Sequence, residues 1–81
     1  MLSARELEVL LLAARGLPNQ QIASALHLAE GTVKRHLSNV YGRMGVQSRG
    51  EAAREALRRD WITIEDVRGS APGKDGKGGP S

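Results

Sequence analysis

The 81-residue sequence contains no cysteine, and its only aromatic residues are one tryptophan and one tyrosine. Without cysteine the chain can form neither a disulfide framework nor a cysteine-based metal site, which fits a reducing cytosol. It has no apolar run near the roughly 20 residues of a membrane span. Its first residues also lack the basic and long apolar segments of a signal peptide. We therefore expect one small cytoplasmic domain that does not enter a membrane.

Groupings of catalytic or metal-binding side chains are missing as well. The two histidines, His27 and His36, have no clustered acid beside them, so they do not predict a metal site. The glycines of residues 73–79 lack the flanking strand and helix of a phosphate-binding loop. The sequence therefore predicts no enzyme activity, no cofactor, no metal and no small-molecule site.

The most informative stretch is residues 30–44, which predicts an amphipathic helix. Its apolar residues recur at helical spacing and form one stripe: Val33, Leu37, Val40 and Met44. The opposite face is basic and polar, and residues 32–49 contain four fixed positive charges and no acid. Such a helix can lie in a DNA major groove. The alternative is an ordinary solvated helix face, because the net charge of +3 is too small to decide.

Local start and stop signals predict three more helices, at residues 4–15, 20–26 and 49–59. Two capping boxes, at residues 3–6 and 48–51, precede the first and last of these. Asn19 is the expected N-cap of the short second helix. Gly16 and Gly45 supply left-handed stops. Residues 63–66 resemble a weaker cap and allow one further helical turn.

The composition changes abruptly after residue 68. Residues 69–81 include five glycines, two prolines and two serines, so this tail cannot bury enough apolar surface to become ordered. We predict a folded domain at residues 1–68 and a disordered polar tail at 69–81. The domain is all-α, and about three residues join its second and third helices, as in a helix-turn-helix.

Four separated blocks of this sequence resemble one known family. They are Leu2–Leu10, Gly16–Ala23, Thr32–Tyr41 and Gly45–Arg49, and they are similar to the LuxR-type helix-turn-helix domain, also called GerE-like or NarL/FixJ-type. The resemblance covers residues 2–60 without a gap. It implies a four-helix bacterial DNA-binding domain, the third helix of which enters the major groove.

The resemblance also implies which residues contact DNA. Lys34, Arg35 and Ser38 stand at positions that face base edges, and the two cations can donate to guanine O6 and N7. Residues at phosphate-contacting positions are Asn19, Gln20, Thr32, His36, Tyr41, Arg43, Ser48 and Arg49. This sequence departs from the family pattern at Ala29, where a serine or threonine cap is usual, and at Gly42, where a longer residue is common.

The fourth helix of such domains commonly forms a two-fold contact, so Ala52, Ala53 and Ala56 are the predicted homodimer interface. The expected partner is double-stranded DNA in the bacterial nucleoid, and RNA polymerase is a further candidate.

Three local alternatives stay open. His36 could pack against the first helix, Arg49 could pair with Glu51 or Glu55, and the alanines could pack inside the monomer.

Two other functions also stay open. Region 4 of a sigma factor shares a capped first helix and a Gly-Thr-Val-Lys stretch at the start of its recognition helix, but it usually lacks the continuation present here. The same fold can also serve as a protein-interaction module that dimerises with another regulator.

Overall fold

The computed structural model describes residues 2–68, and all regular structure within that range is helical. Five helices follow one another: α1 (Ala4–Ala14), α2 (Asn19–Leu26), α3 (Glu30–Met44), α4 (Arg49–Arg58) and α5 (Ile64–Arg68). The all-α prediction is confirmed, and the weak cap at residues 63–66 does begin a fifth, short helix. The tail at residues 69–81, predicted to be disordered, lies outside the described residues. Within residues 2–68, no helix has the length and apolar character that crossing a membrane requires.

Reciprocal capping boxes fix the starts of α1 and α5. The Ser3 hydroxyl accepts a hydrogen bond from the Glu6 amide at 3.1 Å, and the Glu6 carboxylate accepts one from the Ser3 amide at 3.0 Å. Thr63 and Asp66 exchange the same two bonds, both at 3.0 Å. In each case the side chains satisfy amides that have no partner inside the helix.

Two other helix starts differ from the predictions. Asn19 is not an N-cap, because Pro18 occupies that position and Asn19 is the first helical residue. At α4 the Ser48 hydroxyl accepts from the Glu51 amide at 3.1 Å, as expected. The Glu51 carboxylate, however, accepts from the Gln47 amide at 2.8 Å, so only half of the predicted box forms.

The first four helices all end in the same way, with a left-handed residue followed by an apolar one. The left-handed residues are Gly16, His27, Gly45 and Asp60. In each case the amide of the next residue donates to a carbonyl five positions earlier, as in a Schellman motif. These bonds are Leu17 to Leu12 at 3.2 Å, Leu28 to Ala23 at 2.9 Å, Val46 to Tyr41 at 3.0 Å and Trp61 to Ala56 at 2.9 Å. Each of the four apolar residues then packs against the core.

The core has two clusters, and α3 spans both. The first cluster consists of Val9, Ala13, Ile22, Ala23, Val33 and Leu37. The second consists of Leu10, Val40, Met44, Ala52, Ala56 and Ile62. The predicted apolar stripe of α3 is buried along its whole length, with Val33 and Leu37 in the first cluster and Val40 and Met44 in the second. Tyr41 packs against both clusters, so α3 joins the two halves of the domain.

Gly42, inside α3, and Gly45, directly after it, provide a matched test of this end geometry. Gly45 has φ +72°, whereas Gly42 is helical, and a methyl group at either position would meet nothing within 4 Å. Gly45→Ala should therefore destabilise the domain by about 1–2 kcal/mol, the cost of a left-handed alanine. Gly42→Ala should stabilise it by up to about 1 kcal/mol through helix propensity. Urea unfolding followed by circular dichroism measures both changes. Equal effects of the two substitutions would contradict the assigned helix end.

Candidate nucleic-acid interface

The polar face of α3 is open to solvent. Lys34, Arg35 and Ser38 are exposed, while Val33 and Leu37, their neighbours along the helix, are 0% and 5% exposed. Because the apolar stripe is held by both core clusters, α3 cannot rotate about its axis without exposing it. The structure thus presents all three predicted base-contacting side chains on the outer surface of the domain.

A shallow groove of about 300 Å³ lies between α2, α3 and the start of α4. Its lining combines two predicted base-contacting residues with three predicted phosphate-contacting ones: Lys34 and Ser38, and Asn19, Tyr41 and Arg49. Leu37 completes the lining. Lys34, Ser38 and Tyr41 are four and three residues apart, so they share one face of α3. Residues 19 and 49, far apart in sequence, meet at the same opening.

The other predicted contact residues lie outside this groove lining. Arg35 is exposed on α3, Gln20 is exposed on α2, and Ser48 is exposed at the start of α4. Thr32 and His36 are half-buried on α3. Their roles in phosphate contact stay predictions. Ala29 forms no side-chain cap at the start of α3, as its lack of a side-chain oxygen predicts.

Arg43, another predicted phosphate contact, is linked to α1. Its guanidinium donates to the Glu6 carboxylate at 2.7 Å; the arginine side chain is 55% exposed and the glutamate side chain only 7%. The Ser3 amide bond is the main cause that lowers the pKa of Glu6, and the nearby charge of Arg43 and that of His36 lower it further, against an opposing effect of burial. Glu6 therefore caps α1 and also ties it to the end of α3.

Arg49 lies at the start of α4 and is half-buried. Its guanidinium donates to three acceptors: the Leu17 carbonyl, the Ala13 carbonyl at 3.4 Å and the Asn19 side-chain oxygen at 3.0 Å. These contacts, here called the Arg49 bridge, connect α4 to the end of α1 and the beginning of α2. Glu51 and Glu55, the carboxylates considered for Arg49 from sequence, have other partners. Glu51 accepts from the Gln47 amide. Glu55 accepts hydrogen bonds from Arg58, which has the larger effect, and from Arg59, and these bonds lower its pKa to about 2.

The three alanines proposed for a dimer have different environments. Ala52 and Ala56 are fully buried in the second core cluster, with 0% of their surface exposed. They pack inside the monomer and have no accessible surface for a second copy. Ala53 is half-buried. The dimer contact through α4 stays a prediction. Of the three alanines, only Ala53 has accessible surface with which it can contribute to that contact.

Sequence reasoning assigned Glu6 only a capping role and missed both long-range links. Arg43 is 37 positions from Glu6, and Arg49 is 30 positions from Asn19, so no local pattern connects them.

Within residues 2–68, no group of three or more potential metal ligands forms a site.

Comparison with known proteins identifies the family. Residues 1–56 match the bacterial regulatory proteins of the luxR family. The chain belongs to this family. The response regulator VraR of Staphylococcus aureus is 47% identical over 62 residues, which cover 76% of this chain and 30% of VraR. VraR of Staphylococcus epidermidis matches to the same extent.

A solved structure is also similar to this luxR-family domain. The response regulator ChrA of a heme-sensing two-component system aligns with a TM-score of 0.74 and 42% sequence identity. The alignment covers 76% of this chain and 31% of ChrA. The chain thus spans about 30% of the length of the VraR proteins it matches. The predicted family and helix-turn-helix fold are confirmed.

The Glu6 link makes a prediction about acid stability. Because the pKa of Glu6 is below its ordinary value of 4.5, the ionised carboxylate stabilises the fold above that pH. This stabilisation is lost as the pH falls through the lower, folded-state pKa. Glu6→Gln should therefore lower the urea midpoint at neutral pH, and its difference from the unmodified domain should shrink in acid.

Glu8→Gln is the matched control. Glu8 is exposed on the same helix and, among residues 2–68, pairs only with Arg5, at 3.3 Å on the surface. Exposed pairs of this kind contribute little to stability. The urea midpoint of Glu8→Gln should therefore stay close to that of the unmodified domain at every pH of an acid-to-neutral series. A Glu6→Gln series that runs parallel to the unmodified domain at every pH would show that Glu6 ionisation does not stabilise the fold.

Proposed function

We propose that this domain binds double-stranded DNA in a sequence-specific manner, as the DNA-binding domain of a bacterial transcription regulator. The observation that carries the proposal is the division of α3 into two faces. Val33, Leu37, Val40 and Met44 are at most 6% exposed, while Lys34, Arg35 and Ser38 are exposed. The family membership supports the same function.

In this proposal α3 lies in the major groove and its polar face reads bases. Lys34 and Arg35 donate to guanine O6 and N7, and the Ser38 hydroxyl can donate or accept. Since Lys34 and Ser38 line the groove beside α2, the bases they contact lie next to the backbone held by that helix. Phosphate contacts from the start of α2, from Tyr41 and from Ser48 would set the position and register of α3 without reading sequence.

Arg43 has a more restricted role than a free surface arginine. One guanidinium nitrogen already donates to Glu6, but the side chain remains more than half exposed. It can therefore approach a phosphate only from a fixed direction. We include it among the phosphate contacts on this basis, together with Thr32 and His36 on the same helix.

A single module of this size buries about 600–1,000 Å² on DNA, which predicts weak binding by one copy. Two copies related by a two-fold axis would recognise paired half-sites. The accessible side of α4, including Ala53, is the proposed contact between them. RNA polymerase is a further proposed partner, and the bacterial nucleoid is the proposed place of action. The sigma-factor alternative is less well supported, because the match to the luxR family extends over residues 1–56.

Selection of binding sites from random duplex DNA tests the proposal. The expected result is one recurring short motif, with measured affinity that falls steeply as salt rises because bound phosphates release counterions. Recovery of two inverted copies would support the two-fold dimer. No enrichment would contradict sequence-specific recognition. An affinity unaffected by salt would contradict DNA binding and would favour a protein-interaction module.

Lys34→Ala should weaken binding to the selected site by about 10- to 100-fold, the usual effect of losing a good base contact. The loss on random DNA should be clearly smaller. Arg5→Ala is the matched control, because Arg5 is an exposed cation on α1, outside both the groove lining and the proposed α4 contact. It should affect both DNAs little and equally. Fluorescence anisotropy measures the affinity of each variant for both DNAs. If Lys34→Ala loses affinity equally on the selected site and on random DNA, Lys34 does not contact bases.

A further inference from the structure

The position of Arg49 in its own helix is electrostatically unfavourable. It is the first residue of α4, and a positive charge is disfavoured at a helix N-terminus. Its side chain, however, reaches the Ala13 carbonyl in the last turn of α1 and the Leu17 carbonyl in the loop that follows. A cation is favoured at a helix C-terminus, where the last carbonyls carry partial negative charge. The charge of Arg49 therefore lies close to the C-terminus of α1, where it is favourable.

The same guanidinium determines the orientation of the Asn19 amide. A guanidinium has only donors, so it can bind only the oxygen of an asparagine side chain. Since Oδ1 of Asn19 accepts from Arg49 at 3.0 Å, the Nδ2 group must point away from the arginine. Asn19 also lines the groove with Lys34 and Ser38. The bond to a cation further polarises the amide and strengthens its N–H groups as donors.

We infer that Arg49 is a positioning residue, which holds Asn19 so that its amide N–H groups face a DNA phosphate at the edge of the groove. This inference rests on the proposed DNA binding and reassigns Arg49 within it. Arg49 contributes to affinity through Asn19 instead of through its own phosphate contact. The start of α4 and the start of α2 thus act as one unit in holding the DNA backbone.

Asn19→Asp separates the bond to Arg49 from the bond to DNA. A carboxylate still accepts from Arg49, and it is favourable in the first turn of α2, so the urea midpoint should be unchanged or higher. It offers no donor to a phosphate and adds a negative charge. We expect duplex binding at least about 10-fold weaker than for the unmodified domain, and weaker than for Asn19→Ala, which should lose about 3- to 10-fold.

Gln21→Glu is the matched control for this change of amide to carboxylate. Gln21 is exposed on the same helix, roughly 200° around it from Asn19. It should reduce binding far less than Asn19→Asp. The probe is a random-sequence duplex of about 30 base pairs at low salt, because phosphate contacts do not depend on sequence. The inference would be overturned if Asn19→Asp binds the duplex as well as Asn19→Ala does. It would also be overturned if Asn19→Asp unfolds more easily than the unmodified domain.

A double-mutant cycle then tests whether Arg49 acts through Asn19. Arg49→Lys keeps the charge but loses the planar set of donors that binds several acceptors at once. It should weaken duplex binding by about 3- to 10-fold alone and cause little further loss in the Asn19→Ala background. Additive losses would show that Arg49 contacts DNA independently and would overturn the inference while leaving DNA binding intact. Failure of the unmodified domain to bind the duplex at all would overturn both.

Discussion

Burial of one stripe of α3 is the constraint on which the rest of the structure depends. Val33 and Leu37 belong to the first core cluster, and Val40 and Met44 belong to the second. Any rotation of α3 about its axis would expose apolar surface from both clusters at once. At about 25 cal/mol per Å² of apolar surface, such exposure is costly for a domain of this size. The outward direction of Lys34, Arg35 and Ser38 is a consequence of this packing.

Much of this fold could be predicted from local sequence. The bounds of α3 match the prediction because the apolar stripe and the left-handed glycine that follows it both indicate the same segment. The left-handed ends at His27 and Asp60 were not predicted, since these residue types adopt that conformation much less often than glycine. Each is nevertheless followed by an apolar residue that packs on the core. That apolar residue is the signal that could have revealed both ends.

The site could be predicted less completely, for a physical reason. Periodicity shows which side chains share a face of a helix, so the exposed positions on α3 could be read from sequence. It does not show which helices meet, so the Glu6–Arg43 link and the Arg49 bridge were inaccessible to it. The same limit explains Ala52 and Ala56. Small residues at helical spacing are equally compatible with a dimer contact and with the close intramolecular packing that the structure shows.

Amide chemical shifts of the isotope-labelled domain, followed while duplex DNA is added, test the central claim most directly. The claim is that the face of α3 opposite its buried stripe is the surface that meets DNA. The largest shifts should then map to residues 32–38 and to the start of α2, with α5 nearly unchanged. Largest shifts on α5 and the outer side of α1, with α3 unaffected, would contradict this account.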